Sequence, residues 1–159
     1  MQPTIRAATQ DDYDGICQLY AEADAFHAEA LPDIFRVANG PARTWDFISQ
    51  LIEDENAALL VAEAGGQIVG VAEVTEREVP EFSCVVPRRY ANVDSLAVKA
   101  SHWRQGIGRA LMEEARRWAI SRGLPRVELA VWEFNQGAIA FYEELGYKVA
   151  YRRMWLSSE

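Results

Sequence analysis

The stretch Val93–Met112 constrains this chain more than any other. It opens with Val93, Leu96, Ala97 and Val98, a short apolar run without helical period, which predicts a strand over Ala91 to Val98. A polar turn follows, and a helix begins at about Gly106, with Gly106 and Gly108 at its entry. Glycine lets backbone N–H groups come close to a ligand because no Cβ stands in the way. The first N–H groups of a helix have no partner within it, and the helix dipole is positive there. Strand, glycine turn and helix start therefore form a cradle for an anion, most naturally a phosphate or diphosphate. Gln105, Gly106, Ile107, Gly108 and Arg109 supply the amides, and Arg104 and Arg109 can add side-chain charge. A Walker loop needs Gly-Lys-Ser/Thr, which is missing here, and Leu111 stands where a dinucleotide fingerprint has its third glycine. On this stretch alone, a plain strand-to-helix turn with glycine for packing accounts for the pattern equally well.

A second stretch, Asn135–Tyr147, changes the balance. Asn135, Ala138, Phe141, Tyr142, Gly146 and Tyr147 fall on the pattern Asn-x-x-Ala-x-x-Phe-Tyr-x-x-x-Gly-Phe/Tyr. Trp103–Gly108 falls on the glycines of Arg/Gln-x-x-Gly-x-Gly/Ala, with Trp103 in place of the first residue and Arg104 one position later. Together the two stretches resemble the GNAT superfamily, the acyl-CoA-dependent N-acyltransferases. The resemblance runs from Ile5 to about Trp155 once the order of elements is included. It implies acetyl-CoA as acyl donor, with no metal. It also implies a wedge between the strand over Ala91 to Val98 and the next strand, at about 126–132, which splay apart at one end. The pantetheine arm of the coenzyme would pair there with main-chain groups of Leu96, Ala97 and Val98 and meet Asn135, which also suits a helix N-cap.

Around these motifs the elements fall in order. Thr4 to Ala8 predicts a short edge strand. Thr9 and Asp12 resemble a capping box opening a helix that ends before Pro32. Pro41 precedes a helix over Ala42 to Glu53 with Trp45, Ile48, Leu51 and Ile52 on one face. Ala58 to Ala64 and Gln67 to Val79 form a hairpin across Gly65-Gly66. The returning strand is apolar on both faces, so both are covered, and Glu73 lies on the Val69/Val71 face, where a carboxylate needs a role or a partner. Pro80 to Arg89 is a connecting loop. After the helix over Gly106 to Arg122 come a strand over Val127 to Trp132, a helix over Asn135 to Leu145 and a closing strand over Tyr147 to Trp155. The sum is a mixed α+β domain over residues 1–159, with about six or seven strands flanked by about four helices.

Acetyl transfer to an amine requires a neutral amine, a donor for the carbonyl oxygen, a proton for the leaving thiolate, and both reactants held together. The resemblance makes Tyr142 the acid at the sulfur; without it, Tyr142 is an aromatic beside Ala138 and Leu145. A backbone N–H near Val98 is the candidate oxygen donor. Asp94 is the first candidate for the base and Glu73 the second, with Glu128 and Glu133 behind them. His27, Phe35 and Arg36 are candidate acceptor contacts, against the plainer reading that they pack their loop. Cys84 has no activating histidine near it in sequence, so a covalent route is not expected.

Composition excludes other classes. A net charge of −8 with no basic run disfavours nucleic acid and anionic membrane as partners. Cys17 and Cys84 make neither a disulfide framework nor a zinc site and suit a reducing cytoplasm. The expectation is an N-acetyltransferase acting on a small-molecule or peptide amine, with homodimers admitted by the resemblance. The competing expectation is a non-catalytic acyl-CoA-binding module.

Overall fold

Two glycines in succession start the sheet. The computed structural model describes residues 2–159. In it Gly65 and Gly66 have φ of 58° and 77°, so the two-residue turn takes the twist that a tight hairpin needs. It joins β2 (Ala57–Ala64) to β3 (Gln67–Val79). β1 (Thr4–Ala7) lies antiparallel on the outer edge of β2, and β4 (Arg88–Val98) antiparallel on the other side of β3. β5 (Val127–Leu129) runs parallel to β4, giving the order β1-β2-β3-β4-β5.

Helices cover both faces, as the two-sided apolar character of β3 demands. α1 (Tyr13–Ala30) and α2 (Trp45–Glu53) bury Ile16, Leu19, Tyr20, Ile48 and Leu51 against Leu59, Val61 and Val71. α3 (Ile107–Ser121) buries Ile107, Leu111, Met112, Ala115 and Ala119 against Leu60, Ala62, Val74 and Val93 on the opposite face. α4 (Gln136–Glu144) packs Phe141 and Tyr142 onto the rim of that second core. A Cβ on Gly70 would lie 2.9 Å from the Leu111 side chain, so glycine lets α3 sit close on β3.

Two irregularities shape the sheet. One, between Ala62 and Glu63, puts Val69 in the α3 core while Val71 faces α1. Glu73 therefore shares its face with Val71 and not with Val69. The other lies between Glu73 and Val74 of β3: Glu73 pairs with Ser95 and Val74 with Val93, which leaves Asp94 as the extra residue of a bulge.

Among the described residues five strands form, not six or seven. The segment Tyr147 to Trp155 is not a strand, because none of its main-chain groups beyond Tyr147 finds a backbone partner among the described residues. β5 stops at Leu129 instead of Trp132, since β4 ceases to pair with it after Val93. α2 starts at Trp45 rather than Ala42. Thr44 is its N-cap, accepting from the Phe47 amide at 3.2 Å, and Pro41 lies ahead of the first turn. Trp45 is exposed, with its ring edge on Tyr13. Thr9 does form a capping box with Asp12, but it opens a short 3-10 turn ahead of α1. Among the described residues no helix is long and apolar enough to cross a membrane.

Candidate active site

A glycine turn leads into the start of α3. Arg104 (φ 64°) and Gly106 (φ 81°) both lie in the left-handed region, and alternating backbone of this kind turns successive amides toward one side. The first α3 amide with a main-chain partner is that of Ala110, which donates to the Gly106 carbonyl at 3.0 Å. The amides of Ile107, Gly108 and Arg109 precede it and have no main-chain acceptor among the described residues. Gln105 and Arg109 are exposed at the mouth. Gly108 serves packing. A Cβ there would lie 3.2 Å from the Phe141 ring and 3.8 Å from Val98, so the end of β4, the start of α3 and the middle of α4 meet at this glycine. Trp103 donates from its indole to the Val98 carbonyl at 2.6 Å and anchors the turn to β4.

β4 and β5 pair only from Ala91 to Val93, while β4 continues to Val98. The Lys99 amide donates to the Val69 carbonyl on the β3 side. Strand alternation then directs the main-chain groups of Ala97 toward β3 and those of Leu96 and Val98 toward the gap. The reach of Trp103 to the Val98 carbonyl agrees with this. Leu96 and Val98 are thus the open main-chain positions. Ala97 packs its side chain on the α1 face.

Asn135 is the N-cap of α4, accepting from the Ala138 amide at 3.2 Å. Two turns on, Tyr142 is half-buried between Phe141 and Tyr147, with ring centroids 5.2 and 5.8 Å away. Burial, with the nearby Tyr147, pushes its phenol up to about 12.

The carboxylates separate by environment. Asp94 accepts from Thr75 at 2.5 Å, Arg77 at 2.6 Å and Asn92 at 2.9 Å, so both its oxygens are engaged. Glu73 is half-buried and accepts one bond, from the Tyr20 hydroxyl at 3.2 Å. Burial first, and then the charge of Asp94, hold the Glu73 carboxyl above its usual range. Burial and the Glu73 charge push the Tyr20 phenol up in turn. Arg43 stands over the Tyr20 ring at 4.3 Å and pairs with Asp24. Glu128 is paired with Arg88, and Glu133 is exposed. Tyr20 was the residue sequence reasoning missed. The signal was Glu73 itself, a carboxylate on a covered face, which implied a partner on α1.

His27 and Phe35 join Phe26, Trp132, Phe134 and Trp155 in a chain of ring contacts between 5.4 and 5.8 Å. Arg36 is exposed outside it. Cys17 and Cys84 are free thiols, half-buried and exposed respectively. Among the described residues no group of three or more His, Cys, Asp or Glu is arranged to hold a metal ion.

The model of the acetyltransferase (GNAT) family matches residues 17–147. This chain belongs to the GNAT acetyltransferase family. An uncharacterised N-acetyltransferase of Methanocaldococcus jannaschii is 32% identical over 145 residues, which are 91% of this chain and 60% of that protein. N-acetyltransferase 8 of Rattus norvegicus is 29% identical over 65% of this chain and 45% of its own length. The chain thus spans about half of the length of these relatives. A mutant of the BH1408 protein of Bacillus halodurans has the same fold at a TM-score of 0.93. It is 26% identical, covering 97% of this chain and 98% of that one. An aminoglycoside N-acetyltransferase solved with CoA superposes at 0.71 with 16% identity over 98% and 99% of the two chains, a likeness of fold alone.

GNAT acetyltransferases use acetyl-CoA. The residues here fit it: unpaired amides at the α3 start suit a diphosphate, and the open Leu96 and Val98 edge suits a peptide-like arm.

Proposed function

We propose that this chain moves an acetyl group from acetyl-CoA directly to a primary amine of a small molecule or peptide. The meeting of β4, α3 and α4 at Gly108 carries this reading, because it sets the anion cradle, the open strand edge and the Phe141-Tyr142 pair side by side. Ile107, Gly108 and Arg109 hold the diphosphate by their amides, and Arg104 adds charge at the rim. Leu96 and Val98 hold the pantetheine arm, and the Val98 amide faces the carbonyl oxygen, where negative charge grows as the amine adds. Tyr142, protonated throughout the neutral range, gives its proton to the departing sulfur.

Glu73 is the base. It has one bonding partner where Asp94 has three, and its raised affinity for a proton suits removal of one from an ammonium. Tyr20 holds the carboxylate in place, and Asp94 keeps its proton affinity high. An acetyl-CoA assay over an amine panel, following free thiol, tests the whole reading. Turnover is expected, with Tyr142→Phe reducing kcat by about ten- to a hundredfold and leaving CoA affinity nearly unchanged. Tight CoA binding without turnover on a wide panel would make this chain a binding module instead.

A further inference from the structure

Six rings of this chain gather outside its cores. Phe26, His27, Phe35, Trp132, Phe134 and Trp155 meet ring to ring, at 5.4 to 5.8 Å between centroids. None of them packs into either buried core. Phe26 is 46% and Trp155 67% exposed, and the other four are half-buried. Burial does not explain rings from three separate stretches that are held together and left this open. They present faces and edges that a further ring can fill.

The course of α1 places this group. A Cβ on Gly15 would meet Ile68 of β3 at 2.9 Å, so α1 starts over that strand. Further along, the Tyr20 hydroxyl donates to Glu73. Glu22 accepts from the Ala100 amide, just past the end of β4, at 3.3 Å. His27 then reaches Phe134, beyond the end of β5. α1 therefore crosses from β3 over β4 to the far side of the gap where β4 and β5 no longer pair. Tyr20 and His27 lie two turns apart on one side of the helix, an axial offset of about 10 Å. One end of this span has a carboxylate with a single bonding partner, and the other has a wall of rings.

Charge narrows what enters. Residues 7–35 include acids but no Lys or Arg, and Arg36 is the first cation to follow. Glu29, Asp33 and Glu133, beside the rings in sequence, have no ion-pair partner among the described residues. A cleft of this sign draws in a cation and repels an anion.

We infer that the acceptor is an aromatic primary amine, with its ring seated against Phe35, Trp132 and Phe134 and its nitrogen at Glu73. This rests on the acetyl-transfer reading above and names the class of amine. A ring packs with its centroid about 5 Å from its neighbours, which leaves about 5 Å between ring and nitrogen, the reach of a two-carbon spacer. Overall the ammonium gives up two protons. One N–C bond forms and one C–S bond breaks. One proton ends on the CoA thiol, and the other is released through Glu73.

Thiol release from acetyl-CoA, compared for 2-phenylethylamine, 2-cyclohexylethylamine and ethylamine, tests this. The kcat/KM for 2-phenylethylamine is expected to exceed that for ethylamine about a hundredfold and that for the saturated ring about threefold or more. Phe134→Leu and Trp132→Leu keep an apolar side chain and remove a ring at half-buried positions outside both cores, so circular dichroism is expected to match the parent. Each is expected to raise KM for 2-phenylethylamine about tenfold and to erase the preference over the saturated ring, with the effect on KM rather than kcat. Equal or faster transfer to the aliphatic amines, or an undiminished ring preference in both variants, would overturn the inference and leave acetyl transfer standing. No thiol release with any amine would overturn both.

Discussion

Glu73 and Asp94 lie across one bulge, and their bonding partners divide their roles. Glu73→Gln is expected to lower kcat/KM about a hundredfold, and Asp94→Asn only a few-fold, in a steady-state assay at neutral pH. The pH profile adds a sign. Glu73 accepts a proton only when ionised, and its carboxyl is held above the usual range, so activity falls as pH drops through that raised value. Asp94→Asn removes a neighbouring negative charge and should move this acid limb to lower pH. Linkage runs the other way for stability. A carboxyl whose folded value is raised destabilises the fold as pH rises past its unfolded value of about 4.3. Glu73→Gln should therefore match or exceed the parent Tm at pH 7 while losing activity, which a purely structural role for Glu73 does not predict. The chain order showed that Glu73 needed a partner. It could not show that Asp94 already had three, because those come from residues up to 19 positions away.

At the scale of elements, the start of α3, where the proposed cradle lies, depends on Gly106 more than on Gly108 for its backbone. At φ 81° an alanine in place of Gly106 meets no atom but adopts a left-handed conformation costing about 1–2 kcal/mol. Gly106→Ala is expected to weaken CoA binding about tenfold by calorimetry, as the turn relaxes and the amides of Ile107 to Arg109 turn aside. α2 is held by its cap, and Thr44→Ala should cost about 1 kcal/mol in urea unfolding with CoA affinity unchanged. The helices over α3 and α4 were legible because glycine and asparagine mark their ends in the sequence. The start of α2 was misjudged, since both Pro41 and Thr44 suit an entry and the surrounding chain selects between them.

For the whole molecule, the buried Asp12 couples the first strand to the first helix. It accepts two bonds from Arg6, at 2.7 and 2.9 Å, and one from the Thr9 amide at 2.8 Å, while Arg6 also reaches Glu63 on β2. The Arg6 guanidinium holds the Asp12 carboxyl below its usual range. Its contribution is fully present above the unfolded value of about 3.9 and is lost as pH falls through the lower folded value. Asp12→Asn should lower stability at pH 7 by on the order of 2 kcal/mol. It should also flatten the acid dependence of Tm below about pH 4.

The sequence by itself determined the order of elements up to α4, the two-sided cover of β3, the glycine hairpin, and the places of the glycine turn before α3 and of Tyr142 on α4. These rest on local spacing, on backbone freedom at single residues and on motifs that lie within one element. Only the tertiary structure decided what depends on contacts between distant positions. Such contacts put Val69 and Val71 on opposite faces and made Gly108 a seat for Phe141. They tied Asp94 up with Thr75, Arg77 and Asn92 and joined Tyr20 to Glu73. The segment after Gly146 has the composition of a strand, but a strand exists only where it pairs with a second edge, and beyond Tyr147 its main chain pairs with none among the described residues.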